Sequence, residues 1–142
     1  MNLWHRIFHH RHHHRHHHHR VLVLLLVNGY PILLIPNHEV NMTTVVTVGH
    51  KIDLAIIYLD QNGNPMLTPP APDSVTWSNT NPAAETLASA GSTATATAIA
   101  PGADEIDLAV VVGGVTFSAA LAVEVDPAPQ VLTSVQIEPT VS

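Results

Sequence analysis

The densest set of metal-capable side chains stands at the start of the sequence. MNLWHRIFHHRHHHRHHHHR places ten of the twelve histidines and four of the five cations within residues 1–20, with no acid among them. On a helix, His9/His13, His10/His14 and His12/His16 stand four apart on one face, the spacing at which imidazoles ligate zinc, nickel or copper. A dedicated metal centre needs few ligands in fixed positions, with outer groups to orient them. A near-homopolymer supplies neither, so His9, His10, His12, His13, His14 and His16 are expected to give non-specific zinc or nickel affinity. The same imidazoles titrate near about pH 6.5, so the arm gains positive charge on acidification and attracts anions through Arg6, Arg11, Arg15 and Arg20. It lacks the interleaved aromatics of single-strand nucleic-acid binders.

The remaining candidates are sparse. With no cysteine in the chain, thiolate catalysis, Cys-based zinc sites, iron–sulfur clusters and disulfides are excluded. Asp60, Asn62 and Asn64 open like a calcium loop, but Gly63 falls at its fourth position rather than its sixth. Ala71 also stands where the bidentate Glu belongs, so a tight turn is the better reading. Asp104, Glu105 and Asp107 read as a solvated strand edge that discourages aggregation. A Ser–His–Asp set has only His38 and His50 to draw on outside the run, and nothing in the spacing brings either to a nucleophile. No enzyme activity and no cofactor are expected.

The elements that would position such groups are strands. From about Asn41 onward no window sustains the i, i+3, i+4, i+7 apolar pattern of a helix. Lys51–Asp60 instead sets Ile52, Leu54, Ile56 and Tyr58 on one face, and Val75 alternates with Trp77. Thr93, Thr95 and Thr97 alternate with Ala94, Ala96 and Ala98, and Ile106, Leu108, Val110 and Val112 form a further apolar row. Val115–Val125 returns after Gly113-Gly114, a two-residue hairpin signal. Turn signals recur at Asn62-Gly63, Pro69-Pro70, Asn81-Pro82, Gly91 and Pro101-Gly102. The fold class expected is all-β, an antiparallel sandwich with a thin core in which Trp77 is the one large anchor.

Four stretches, KIDLAIIYLDQNGNP (51–65), SVTWSNTNP (74–82), TATAIAPG (95–102) and VVVGGVTFSAALAVEV (110–125), resemble successive pieces of a bacterial immunoglobulin-like domain. This is the type repeated in intimin- and invasin-like adhesins and found singly in phage structural proteins. The resemblance covers roughly residues 41–126 and departs from the family at Pro69-Pro-Ala-Pro72, a longer and stiffer connection. It implies an immunoglobulin-like sandwich of about seven strands used as a spacer, stalk or decoration, with no catalysis and no universal site residues.

The chain therefore divides into a His/Arg-rich arm (1–20), an apolar segment (21–40), the immunoglobulin-like domain (41–126), and a linker with the start of a further, extra C-terminal strand (127–142), in which Val131–Pro139 either resembles the first strand of a following domain of the same type or pairs elsewhere. Residues 1–20 carry +4; residues 21–142 set Lys51 against eleven acids and carry −10. An acidic sandwich is not expected to bind nucleic acid. Residues 21–36 admit two structural readings. One is a signal or anchor, which leaves membrane contact open; the other is a hairpin about Asn28-Gly29. A third reading treats residues 1–41 as an upstream extension, because codons for Glu39-Val40 can spell a ribosome-binding sequence just before Met42. The partners expected are proteins of a virion or surface assembly, including a second copy through an edge strand or the C-terminal strand. The location expected is the virion, or the cell surface if residues 1–36 direct export. The alternative roles are an exported adhesin-type spacer and a carrier for a metal- or anion-binding arm.

Overall fold

Alternation of the kind read in residues 51–59 governs the chain throughout the computed structural model, which describes residues 21–136. Nine strands form in order: β1 (Leu22–Val27), β2 (Tyr30–Leu34), β3 (Glu39–Thr47), β4 (Lys51–Leu59), β5 (Ser74–Asn79), β6 (Glu85–Ala90), β7 (Thr93–Ala98), β8 (Gly102–Val112) and β9 (Val115–Asp126). They build one sheet in the order β2-β1-β4-β7-β6 and a second in the order β3-β9-β8-β5. The β1-β4-β7-β6 and β9-β8-β5 arrangement is the strand order of an immunoglobulin-like sandwich, with β2 added outside β1 and β3 added outside β9.

Two features differ from the sequence expectation. Seven strands, β3 to β9, do occupy the region assigned to the domain, but β1 and β2 extend the same sandwich to nine. The pairing is also not wholly antiparallel. β3 runs parallel to β9, from Glu39 opposite Ser118 to Thr47 opposite Asp126, because the chain crosses from one sheet to the other between β2 and β3. That crossing is fixed by Pro36, bridged to Phe117, and by Asn37, which takes φ +58° and donates its N–H to the Thr116 carbonyl at 2.8 Å.

The apolar segment is a hairpin turning at Asn28 (φ +50°) and Gly29 (φ +83°), both left-handed as a type I′ turn demands. The turn is pinned to β4: Asn28 N–H reaches the Asp53 carbonyl and its Oδ1 accepts from Asp53 N–H, both at 2.8 Å. Val23, Leu25, Val27 and Leu34 point into the core and are buried. Leu22, Leu24 and Leu26 occupy the opposite face beside Leu59, Ile57 and Ala55, with Leu33 beyond them. Apolar side chains on both faces are what make this stretch read as a continuous hydrophobic run. Among the described residues no helix is long and apolar enough to cross a membrane.

The core lies between the sheets. Ile52, Leu54, Ile56 and Tyr58 of β4 face Ile106, Leu108, Val110 and Val112 of β8 and Phe117, Leu121, Val123 and Val125 of β9. Ala94, Ala96 and Ala98 let the β7 backbone approach closely, with Thr93, Thr95 and Thr97 on the outer side. Trp77 is not the central anchor. It is half-buried at the margin, and the largest fully buried apolar side chains are Leu25, Leu34 and Ile52. Two of those three belong to the hairpin.

Burial of Val23, Leu25, Val27 and Leu34 contributes roughly 6–10 kcal/mol by apolar area, comparable to the whole net stability of an ordinary domain, about 5–15 kcal/mol. A chain beginning at Val21 should therefore unfold cooperatively on heating. A chain beginning at Met42 lacks β1, β2 and Glu39, Val40 and Asn41 of β3, and should show no cooperative transition by calorimetry.

Candidate interaction surfaces

The residues that sequence reasoning marked for chemistry are not gathered into one site. The histidines from His9 to His16 lie outside the described residues. Among the described residues no group of three or more His, Asp or Glu is placed to hold a metal. His38 precedes β3, while His50 lies in the turn before β4, where its N–H donates to the Thr47 carbonyl at 3.0 Å. The two imidazoles thus sit at opposite ends of β3, about 30 Å apart at the rise of an extended strand. Asp60 caps its own turn: Oδ1 accepts the backbone N–H of Asn62 at 2.8 Å and of Asn64 at 3.0 Å. These bonds, Asn64 first, lower the Asp60 pKa.

The lateral side formed by β5 and β6 is closed by side chains that reach from sheet to sheet. Trp77 Nε1 donates to the Gly91 carbonyl at 2.9 Å, tying β5 to the β6–β7 turn. The Asn79 amide donates from β5 to the Glu85 carbonyl of β6 at 2.7 Å and to Asp104 Oδ2 of β8 at 3.1 Å. Asp104 is the hub of this corner. Its Oδ1 accepts the N–H of Asn81 at 2.6 Å and of Glu105 at 2.8 Å, and the Thr80 hydroxyl at 3.2 Å. The expectation of a solvated edge therefore fails for Asp104, which is 5% exposed. The even numbering that puts Ile106 and Leu108 inward puts Asp104 inward with them, whereas Glu105 faces outward.

Glu85 is a group that no motif or spacing in the sequence singles out. It opens β6, a short strand without large alternating side chains, and its side chain is 0% exposed. Neither carboxyl oxygen has a hydrogen-bond partner. Burial, and then the nearby Asp104 charge, push its pKa up to about 7. Asp104 takes the donors of the corner and Glu85 takes none, so the proton belongs on Glu85.

The other lateral side is open. There β2 ends one sheet and β3 ends the other. A groove of about 260 Å³ runs between them, lined by Val27, Tyr30, Ile32, Met42, Thr44 and Leu121. The two edges differ. β2 has five residues, and in the alternation set by the Val27–Tyr30 closing pair, Pro31 faces away from β1, where it offers no N–H. β3 has nine residues and no proline, and its alternate backbone groups point away from β9 with no strand beyond.

The chain enters beside Leu59, opposite Leu22, and leaves β9 beside the β3–β4 turn, where Val48 N–H bonds to the Asp126 carbonyl at 2.9 Å. Since β4 spans these points, entry and exit lie about 26 Å apart at opposite ends of the sandwich. At the entry end an open cleft of about 860 Å³ lies between Val21, Pro36, Pro70, Val112 and Phe117. At the exit end residues 127–130 form no strand, as expected of a linker, and residues 131–136, the described part of the further strand expected from Val131, are in no sheet. Residues 137–142 lie outside the described residues.

No family model matches the chain, and no curated protein matches it. Two solved structures are similar in fold. Domains 4 and 5 of the S-layer protein SbsC match over 68% of this chain with 16% identity and a TM-score of 0.43. The match covers 57% of that structure, so the chain spans a little over half its length. A titin M10–obscurin-like 1 immunoglobulin complex matches over 76% of this chain and 99% of that one, with 19% identity and a TM-score of 0.36. The immunoglobulin-like assignment stands on the strand order itself.

The acidic corner makes stability depend on pH. An unfolded glutamate loses its proton near its ordinary value of 4.5, whereas folded Glu85 keeps it until about pH 7. Between those values the folded state binds more protons, so its stability falls as pH rises. The loss is on the order of 2 kcal/mol at 1.36 kcal/mol per pKa unit, allowing for relaxation of the corner. Denaturant melts at pH 4.5 and 8 should show this loss for the native chain and a much smaller one for Glu85→Gln.

Proposed function

We propose that this protein is a non-enzymatic assembly module of a phage virion, an immunoglobulin-like spacer or decoration that holds its neighbours a fixed distance apart. The observation that carries the reading is the placement of entry and exit at opposite ends of one sandwich. Pull or load applied through the chain is then borne along the strands of a single core, as a spacer requires. The composition fits the same role. The outer face of the β3-β9-β8-β5 sheet carries Glu39, Glu105, Asp107, Glu124 and Asp126 between small residues. That face repels nucleic acid and leaves edges and ends as the contact surfaces.

The choice of a virion over a cell surface is supported by the resemblance to immunoglobulin-like domains that occur singly in phage structural proteins. It is supported also by the hairpin. A segment whose Val23, Leu25 and Leu34 are needed inside the core is poorly suited to act as a removable export signal.

Quantitative mass spectrometry of purified phage particles and of the host envelope fraction tests this. Peptides spanning β4 to β9 should be enriched in the particles at a fixed ratio to the major capsid protein. Recovery in the envelope fraction, with the chain cleaved near residue 36, would replace the virion reading with that of an exported surface spacer.

A further inference from the structure

The exposed segment after β9 has the pattern of a strand, and its described residues, 127–136, pair with no strand. From Val131 the residues alternate as Val131, Thr133, Val135, Ile137 on one face and Leu132, Ser134, Gln136, Glu138 on the other. Val131, Leu132 and Val135 are 78%, 81% and 75% exposed, and every residue from Asp126 to Gln136 is exposed. The linker decides where this pattern goes. Pro127 and Pro129 hold themselves and the residues before them in extended backbone, so residues 127–130 give the segment a reach of about 12 Å from the end of β9. At that reach the exposed segment comes within range of the β3 edge of a neighbouring copy.

The matching surface is the open side. β3 offers a nine-residue edge whose alternate backbone groups point away from β9, and the groove beside it sets Tyr30, Ile32, Met42 and Leu121 beside the polar Asn28 and Thr44. A strand added to β3 would lay every second side chain over that groove. We propose that the segment beginning at Val131 of one copy adds as a strand to the β3 edge of a second copy, setting Val131, Val135 and Ile137 against the groove between β2 and β3. Backbone hydrogen bonds give such a contact its affinity, and the alternate side chains in the groove give it register. The uncharged groove also suits a self-contact between strongly acidic chains, whose remaining surfaces repel one another. Pro31 leaves β2 unable to serve as an equivalent template, so the addition is confined to one edge. The contact is heterologous, segment to edge, and it can propagate from copy to copy. This inference rests on the reading of the protein as an assembly module and supplies its partner, a second copy of this chain.

Multi-angle light scattering of the full chain across a wide concentration range reads the association, and segment variants identify its cause. The average mass should rise with concentration to at least twice that of the monomer. Deletion of residues 131–142 should return it to monomer mass with an unchanged melting temperature, since those residues that are described are exposed. Two substitutions of equal charge separate the faces. Val135→Asn should weaken association about tenfold or more, the scale of losing one buried aliphatic contact, whereas Ser134→Asn should leave it unaltered. Monomer mass at all concentrations would overturn the proposal, as would equal effects of the two substitutions or an unchanged mass after deletion. A monomer whose β3 amides are protected by its own segment would also overturn it, in favour of intramolecular pairing. None of these results bears on whether the chain is found in phage particles, so the assembly reading stands or falls separately.

Discussion

The structure depends on an asymmetry between its two lateral sides. Two sheets around a thin layer of Val, Ile, Leu and Ala must be held in register at their margins, and among the described residues side chains staple one margin while the chain's own crossing ties the other. On the β5–β6 side, Trp77 and Asn79 donate from one sheet to backbone carbonyls associated with the other, at 2.9 and 2.7 Å. On the β2–β3 side the chain crosses between the sheets, and the strands flanking the crossing become edges. Pro31 blunts one of them. The nine-residue β3 remains available, and next to it lies an uncharged groove that no side-chain staple covers.

The stapled side carries its own cost in the form of Glu85 and Asp104. Donors converge on Asp104 from Asn79, Thr80, Asn81 and Glu105, fixing the connection between β5 and β6 in one conformation. The carboxyl of Glu85 shares the same interior and receives none of them, so it is accommodated as a neutral acid. The corner therefore favours mildly acidic conditions, while the acids elsewhere stand mainly on the outer face of the second sheet. Charge is thus partitioned by location: below about pH 7 one proton is retained inside, and acids are spaced among neutral residues on the outer face of the second sheet.

Much of this architecture is legible from alternation alone. The inward rows of β4, β7, β8 and β9, and the Gly113-Gly114 hairpin, follow from a period of two and from turn chemistry. Three things do not. The run Val21–Ile35 is apolar on both faces, so periodicity cannot separate a hairpin from a membrane-directed segment. Only the pairing of Leu25 and Leu34 with the rest of the core reveals its role. β6 escapes because Glu85-Thr-Leu-Ala-Ser-Ala90 has no row of large apolar residues, being an edge strand whose inward face begins with an acid. Asp104 misleads because its type suggests solvent while its position, two before Ile106, places it inside. In the last two cases tertiary context overrides residue type. The histidine run, the loudest signal in the sequence, lies outside the described residues.

The central claim is that β3 is the usable open edge of an otherwise closed sandwich. Hydrogen–deuterium exchange of the full chain at high concentration, compared with a chain ending at Gln130, tests it most directly. Alternate β3 amides, those facing away from β9, should exchange markedly more slowly in the full chain, with the amides of β2, β5 and β6 unchanged. Equal exchange along β3 in the two chains, or protection appearing at β5 or β6 instead, would contradict it.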